Sequence, residues 1–198
     1  MKILVAGATG KTGIRLMHKL EAGGHEAVAL VRESSDTSQL PKTAEQRTGD
    51  LTDLPQGVCV DCDAVIFAAG SGGDTDADMT NKVDRDGAKR LVDQASQANV
   101  KRFVMLSSAG AEDPDSESEM GHYLQAKHDA DEHLKRSGLS FAIIRPVALT
   151  DDDGNGEMRF GDDVDLNGKA ARGDVASVLA DSATSDQWEN RVARMQSV

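Results

Sequence analysis

The sequence predicts an α/β fold, a single domain on a doubly wound parallel sheet, from three observations. Short apolar runs recur along the 198 residues with little polar alternation, as in strands covered on both faces. Helical patterns alternate with these runs, and no internal repeat, low-complexity linker or break in composition divides the chain. The first run passes at once into a glycine-bearing turn and a helix, the usual opening of such folds.

Residues 3–6 form the first expected strand. Gly7, Gly10 and Gly13 follow at three-residue spacing. The first glycine lets the chain turn sharply, the second lets backbone approach a pyrophosphate, and the third lets the next helix pack closely. That helix, 11–22, aims its free N–H groups and positive dipole end at the phosphates and stops at Gly23-Gly24. A plain tight turn would use the same glycines. Gly10-Lys11-Thr12 looks like the end of a P-loop, but that motif needs a glycine where Val5 stands.

The second strand is 26–31, and a short extended segment near 44–47 ends in Gly49-Asp50-Leu51. Residues 64–69 form a buried strand closed by Gly70-Ser71-Gly72-Gly73, and a helix follows over 81–98. The strand 101–106 ends in Ser107-Ser108, and an acidic loop leads to a helix over 121–137. The strand 140–144 stops at Arg145-Pro146, and a polar, glycine-bearing stretch covers 150–168. A last helix spans 173–183, and 190–195 is expected as a final edge strand.

Ligands of such sheets lie beyond the carboxyl ends of the strands. That rule gathers Gly7, Thr9, Gly10, Lys11, Thr12, Gly13, Arg32, Asp50, Leu51, Ala68, Ala69, Gly70, Ser107, Ser108, Pro146 and Val147 along one crevice.

Composition narrows the class. Hydrophobic residues make up 38% of the chain and mean hydropathy is -0.44, so a membrane protein is not expected. The start is a strand rather than a signal peptide, which makes a cytoplasmic location the expectation. A formal charge of -12 argues against nucleic acid or an anionic membrane as partner; it fits a well-solvated acidic surface or adaptation to high salt. Cys59 and Cys62 form a Cys-x-x-Cys before a strand, with no second pair to complete a zinc site, and are read as two reduced thiols.

An acidic residue closing the second strand would chelate the adenosine ribose and signal NAD. Here Arg32 stands there and suits a 2′-phosphate, so NADP is the expected cofactor and NAD the rival, because Glu33 follows directly. Arg32 as a merely solvated arginine is the plainer alternative. Asp50 suits the adenine amino group or a cap on the next turn.

The only tyrosine lies in Tyr123-Leu-Gln-Ala-Lys127 on an expected helix, and four-residue spacing puts phenol and ammonium on one face. A free tyrosine has a pKa of about 10; a nearby ammonium and an oxidised nicotinamide favour the phenolate. Lys127 also suits the nicotinamide ribose. A hydroxyl of the Ser107-Ser108 pair can bond a substrate carbonyl and stabilise developing charge. As ordinary helix surface, Tyr123 and Lys127 would need no explanation.

Val5-Ala-Gly-Ala-Thr-Gly-Lys-Thr-Gly13, Gly49-Asp-Leu51, Lys101-Arg-Phe-Val-Met-Leu-Ser-Ser108, Tyr123 with Lys127, Arg145-Pro146 and Arg172-Gly-Asp-Val-Ala176 together resemble an atypical short-chain dehydrogenase/reductase. The likeness is to the compact NAD(P)-binding Rossmann proteins near the NmrA-like group and the sugar epimerase/dehydratases. It implies Ser108 as the catalytic serine, Ser107 beside the nicotinamide, Tyr123 as general acid/base and Lys127 as its partner. It implies that Asp174 caps a late helix. Against that resemblance, the large substrate domain of the sugar-nucleotide enzymes is not expected, and about 147–198 is expected as a small substrate-side segment.

Three functions stay open. One is an NADP-dependent oxidoreductase or epimerase of a small carbonyl or hydroxyl compound. Another is a redox-sensing regulator that binds NAD(P)(H) without catalysis. The third is an NADPH-dependent flavin or quinone reductase. The expected partner is a small-molecule substrate, with a homodimer as a further expectation. No metal site is assigned. Asp151, Asp153, Asn155 and Asp162 resemble a calcium loop, but a strand rather than a helix precedes them. His122, His128 and His133 do not all share one helix face, and His122 and His133, which do, are about three turns apart, too far to hold one ion.

Overall fold

The computed structural model describes residues 1–72 and 77–198, and Gly73 of the expected glycine turn lies outside the described residues. In chain order the elements are β1 (Lys2–Ala6), α1 (Lys11–Ala22), β2 (Glu26–Val31), β3 (Glu45–Thr48) and β4 (Ala64–Phe67). Then come α2 (Ala77–Thr80), a π-helical segment (Asn81–Gly87), α3 (Ala88–Gln97), β5 (Arg102–Leu106) and α4 (Gly121–Arg136). Besides two single-turn 3-10 helices, Gly161–Asp163 and Asp186–Trp188, the rest are β6 (Phe141–Pro146), β7 (Ala148–Thr150), β8 (Met158–Phe160), β9 (Lys169–Ala171), α5 (Arg172–Thr184) and β10 (Arg191–Ser197).

Eight strands form one sheet in the order β3-β2-β1-β4-β5-β6-β10-β8. Every neighbouring pair is parallel except β10 with β8. The alternation of side chains along a strand divides the core in two. Ile3, Val5, Ile66 and Val104 face one way and pack with Leu16 and Leu20 of α1 and Val175 and Leu179 of α5. Leu4, Val65, Phe67 and Phe103 face the other way and pack with Leu91 of α3 and Leu134 of α4. This is a Rossmann-like α/β sheet in one domain, as the sequence predicts. The order reverses between β1 and β4, and a crevice opens at their carboxyl ends.

Three expectations are corrected. The expected edge strand, β10, lies between β6 and β8, so the edge on that side is antiparallel β8. The polar stretch 150–168 contains β8, whose three residues are too few for a periodic pattern. The expected 81–98 helix starts earlier, at Ala77, and runs through seven π-helical residues before turning α-helical.

Candidate active site

At the crevice, Gly7 has φ +84°, and a Cβ there would come within 2.6 Å of the Ala69 backbone. A side chain at Gly13 would overlap the Gly7 carbonyl, so α1 starts pressed against its own turn. Gly10 is the N-cap of α1 and offers no side-chain cap, and its N–H donates to the Gly7 carbonyl at 3.0 Å. The uncapped helix start, with Lys11 beside it, forms an anion cradle whose residues suit a dinucleotide pyrophosphate.

A cleft of about 1010 Å3 runs from this cradle across the ends of β4, β5 and β6. Gly10, Lys11, Thr12, Ala68, Ala69, Gly70, Ser107, Ser108, Tyr123, Lys127, Pro146 and Val147 all line it. Gly7 and Gly13 lie beneath the turn, and Thr9 stands outside the lining. Arg32, Asp50 and Leu51 are at the β2 and β3 ends, also outside this lining. Arg32 is exposed. The Asp50 carboxylate accepts from the Thr52 N–H (2.8 Å) and hydroxyl (2.7 Å), so it caps the turn. Those bonds, with the Arg32 charge, hold its pKa below the ordinary value. Leu51 packs against Gly87.

The two serines differ. Ser107 is buried, and its hydroxyl donates to Asp131 Oδ2 at 2.8 Å. That oxygen also takes Arg145 Nη2 (2.9 Å) and Nε (3.1 Å). Glu112 lies on the other side of Arg145 at 3.4 Å and bonds Arg194 Nε at 2.7 Å. Ser108 is half-buried at the cleft wall, with one long bond of 3.3 Å to the Ala109 carbonyl. Its hydroxyl is therefore the freer of the two to meet a ligand.

Helix α4 carries Tyr123, half-buried, and Lys127, only 3% exposed. The ammonium lies 5.6 Å from the Tyr123 ring centre and 5.7 Å from that of Phe67. It pairs with Asp84 Oδ1 at 2.9 Å and donates to the Leu106 carbonyl at 3.3 Å. Burial pulls its pKa down, but the phenol and the Asp84 carboxylate outweigh that and leave it above the ordinary lysine value. With two of its three donors engaged, Lys127 is held in the cleft wall rather than reaching out into the open cleft.

A loop after β7 closes on the cradle. Asp151 takes Lys11 Nζ (2.5 Å) and Arg172 Nη1 (2.6 Å), while Arg15 bonds Asp153 (2.8 Å) and the Asp151 carbonyl (2.6 Å). The Lys11 bond leads the causes that hold the Asp151 pKa below the ordinary carboxylate value. Two carboxylates of the calcium-like segment are thus engaged by cations. Asp174 does not cap α5; it is buried and takes the Gly156 N–H (3.0 Å) and the Ser197 hydroxyl (2.6 Å).

The histidines have separate partners: His122 the Ala77 carbonyl, His128 the Ala111 carbonyl and His133 Asp93. His122 also lines the cleft. Cys59 and Cys62 are buried free thiols, and burial pushes Cys59 up to about 12. Asp84 and Asp131 do not stand out in the sequence, and Asp151 stands out there only as part of the calcium-like segment. Each is one of many acidic residues, and only the fold brings it to a cation.

Residues 7–186 match the model of a family described as NAD(P)H-binding. The chain belongs to this NAD(P)H-binding family. Several relatives of this NAD(P)H-binding protein match it along most of its length. One from Bacillus subtilis (strain 168), "Uncharacterized sugar epimerase YhfK", is 36% identical over 197 residues, with 96% of this chain and 92% of the relative covered. A solved structure from Bacillus halodurans, provisionally named an NAD-dependent epimerase/dehydratase, is 34% identical with a TM-score of 0.92; 100% of this chain and 94% of that one are covered. The oxidoreductase ylbE from Lactococcus lactis is 28% identical with a TM-score of 0.86, over 100% of this chain and 91% of that one. These comparisons make the protein an NAD(P)-binding relative of proteins named as epimerases and oxidoreductases. Among the described residues no helix is long and apolar enough to cross a membrane.

Proposed function

We propose that this protein is an NADP-dependent oxidoreductase or epimerase-like enzyme acting on a small carbonyl or hydroxyl compound. One observation carries the reading: the glycine cradle, Ser108 and the Tyr123–Lys127 pair line a single cleft. Bound NADPH would supply the hydride, and the side chains do the rest. The Ser108 hydroxyl donates to the carbonyl oxygen and holds it as negative charge develops. Tyr123 gives that oxygen its proton, and the ammonium of Lys127 stabilises the phenolate left behind. In the reverse direction Tyr123 takes the proton from an alcohol. Arg32, exposed at the end of β2, is the group for the 2′-phosphate.

Two variants test this. Arg32→Ala is expected to bring NADPH affinity close to that for NADH; an unchanged ratio removes the NADP assignment. Tyr123→Phe is expected to lower turnover of short aldehydes by about 10²-fold or more with NADPH affinity kept. Unchanged turnover would point to a flavin or quinone reductase. Tight NADPH binding with no turnover of aldehyde, flavin or quinone would point to a sensor.

A further inference from the structure

Lys127 is held in a way that the proposed reaction does not by itself require. The ammonium and its partner Asp84 are both buried, at 3% and 0% exposure. Taking two charges out of water costs several kcal/mol per ion in general, and an apolar pair of similar size would often be at least as stable. The surroundings are suited to such a pair, with the Phe67 ring and the Leu106 backbone packed around the ammonium. Stability alone therefore does not call for this ion pair.

Asp84 is presented by an unusual element. It lies in the seven-residue π-helical segment Asn81–Gly87, and π-turns recur at functional sites. Gly87 closes that segment, and a Cβ there would come within 2.9 Å of the Leu51 side chain, so the wide turn is packed in place. The second oxygen of Asp84 accepts the Ser71 N–H at 2.9 Å, and Ser71 is itself on the cleft wall directly after Gly70. One carboxylate thus joins the loop after β4 to the lysine on α4.

We propose that Asp84 is a positioning residue for Tyr123, acting through Lys127: it fixes the ammonium beneath the phenol and keeps it charged. The proposal rests on the oxidoreductase reading for its purpose, though its physical content stands apart from that reading. The groups facing Lys127 are few. Helix α4 offers Tyr123 and Asp131, the π-helical segment offers Asp84, and β4 and β5 offer only the Phe67 ring and the Leu106 carbonyl. Asp131 is bound through one oxygen to both Arg145 and Ser107, so its charge is largely spent on β6. Asp84 is then the carboxylate that holds the proton on Lys127. Without it, burial acts against the charged form opposed only by the Tyr123 phenol and the distant Asp131 charge, and buried lysines without a carboxylate partner titrate as low as about 5–6.

The test uses Asp84→Asn, which keeps the shape and an acceptor for Ser71 but removes the charge. The Lys127 ammonium is followed by NMR of 15N-labelled protein, assigned by its loss in Lys127→Met, and NADPH affinity is measured on the same samples. The wild-type ammonium signal is expected to persist to about pH 9 and that of Asp84→Asn to vanish between about pH 6 and 8. NADPH affinity should stay within about two-fold, because Asp84 does not line the cleft. Aldehyde turnover by Asp84→Asn should fall at least about 10-fold as pH rises through the same window.

Asp84→Glu is the second variant, for the case that the first does not fold. It keeps the charge but moves it by one methylene, so the ammonium signal should remain while turnover drops. An ammonium signal in Asp84→Asn that persists like the wild type's overturns the proposal, as does a wild-type pH profile. Wild-type protein that binds no NADPH would overturn the oxidoreductase reading instead, and the NMR result would still decide whether Asp84 holds the charge on Lys127.

Discussion

Asp131→Ala should be among the most damaging single changes to stability away from the glycine turn. Asp131 is 0% exposed, and its Oδ2 receives Ser107 Oγ at 2.8 Å and two nitrogens of Arg145 at 2.9 and 3.1 Å. Arg145 is 5% exposed, and its other acidic partner, Glu112, is at 3.4 Å. Removing the carboxylate leaves a guanidinium buried with one long contact and the Ser107 hydroxyl without its acceptor. Breaking a buried pair in this way costs about 3–5 kcal/mol, and the stranded hydroxyl adds about 1. That sum, about 4–6 kcal/mol, is a large part of the roughly 5–15 kcal/mol that holds a typical domain together. At about 2–4 °C per kcal/mol for a chain of this length, the melting temperature should fall by about 8–24 °C. Urea unfolding followed by circular dichroism measures the loss. The double variant Asp131→Leu/Arg145→Met should recover most of it, since apolar pairs replace buried ion pairs well. A single-variant loss below about 1 kcal/mol, or a double variant no better than the single, would refute this account.

Gly13→Ala should abolish NADPH binding and destabilise the fold, since its methyl would overlap the Gly7 carbonyl; calorimetric titration of the purified variant checks this. Asp151→Asn should tighten NADPH binding by a few-fold, roughly, because it frees Lys11 and Arg172 from an internal anion that competes with the cofactor phosphates. Fluorescence of bound NADPH reads it, and weaker binding would show that the loop assists the cofactor instead. At Glu112 burial raises the carboxyl pKa, but a backbone bond and the Arg145 and Arg194 guanidinium groups outweigh it and leave it below the ordinary value. Its stabilisation is therefore full above the unfolded value of about 4.3 and lost as pH falls through the depressed folded value. Urea midpoints should be flat near neutrality and drop in acid, with a shallower drop in Glu112→Gln.

Much of the fold could be read from the chain because its cause is local. Helix α1 and strand β2 lie where the sequence puts them, as an apolar stripe stopped by Gly23-Gly24 and a buried apolar run set their ends. The glycine turn was legible for the same reason: φ and close approach act on single residues. The pairing of β10 was not, because a strand's neighbours depend on which edge is open when it docks, and nothing within 191–197 encodes that. In the site, Tyr123 with Lys127 showed as a spacing on one helix. The carboxylates that control them did not. Asp84 is 43 positions before Lys127, and only the sheet and a π-helical turn bring the two to 2.9 Å.

The place of β10 has a consequence for how the protein is made. Its partner β6 presents Ala142, Ile143 and Ile144 along an edge that β10 covers residue by residue. During synthesis, at about 5–20 residues per second, that apolar edge stays open until the last strand emerges. An open edge of this kind recruits strands from other chains. Late folding intermediates should therefore be the species most prone to aggregate. A short peptide copying 191–197 would compete for the same slot, and it should trap newly made chains while leaving finished protein untouched.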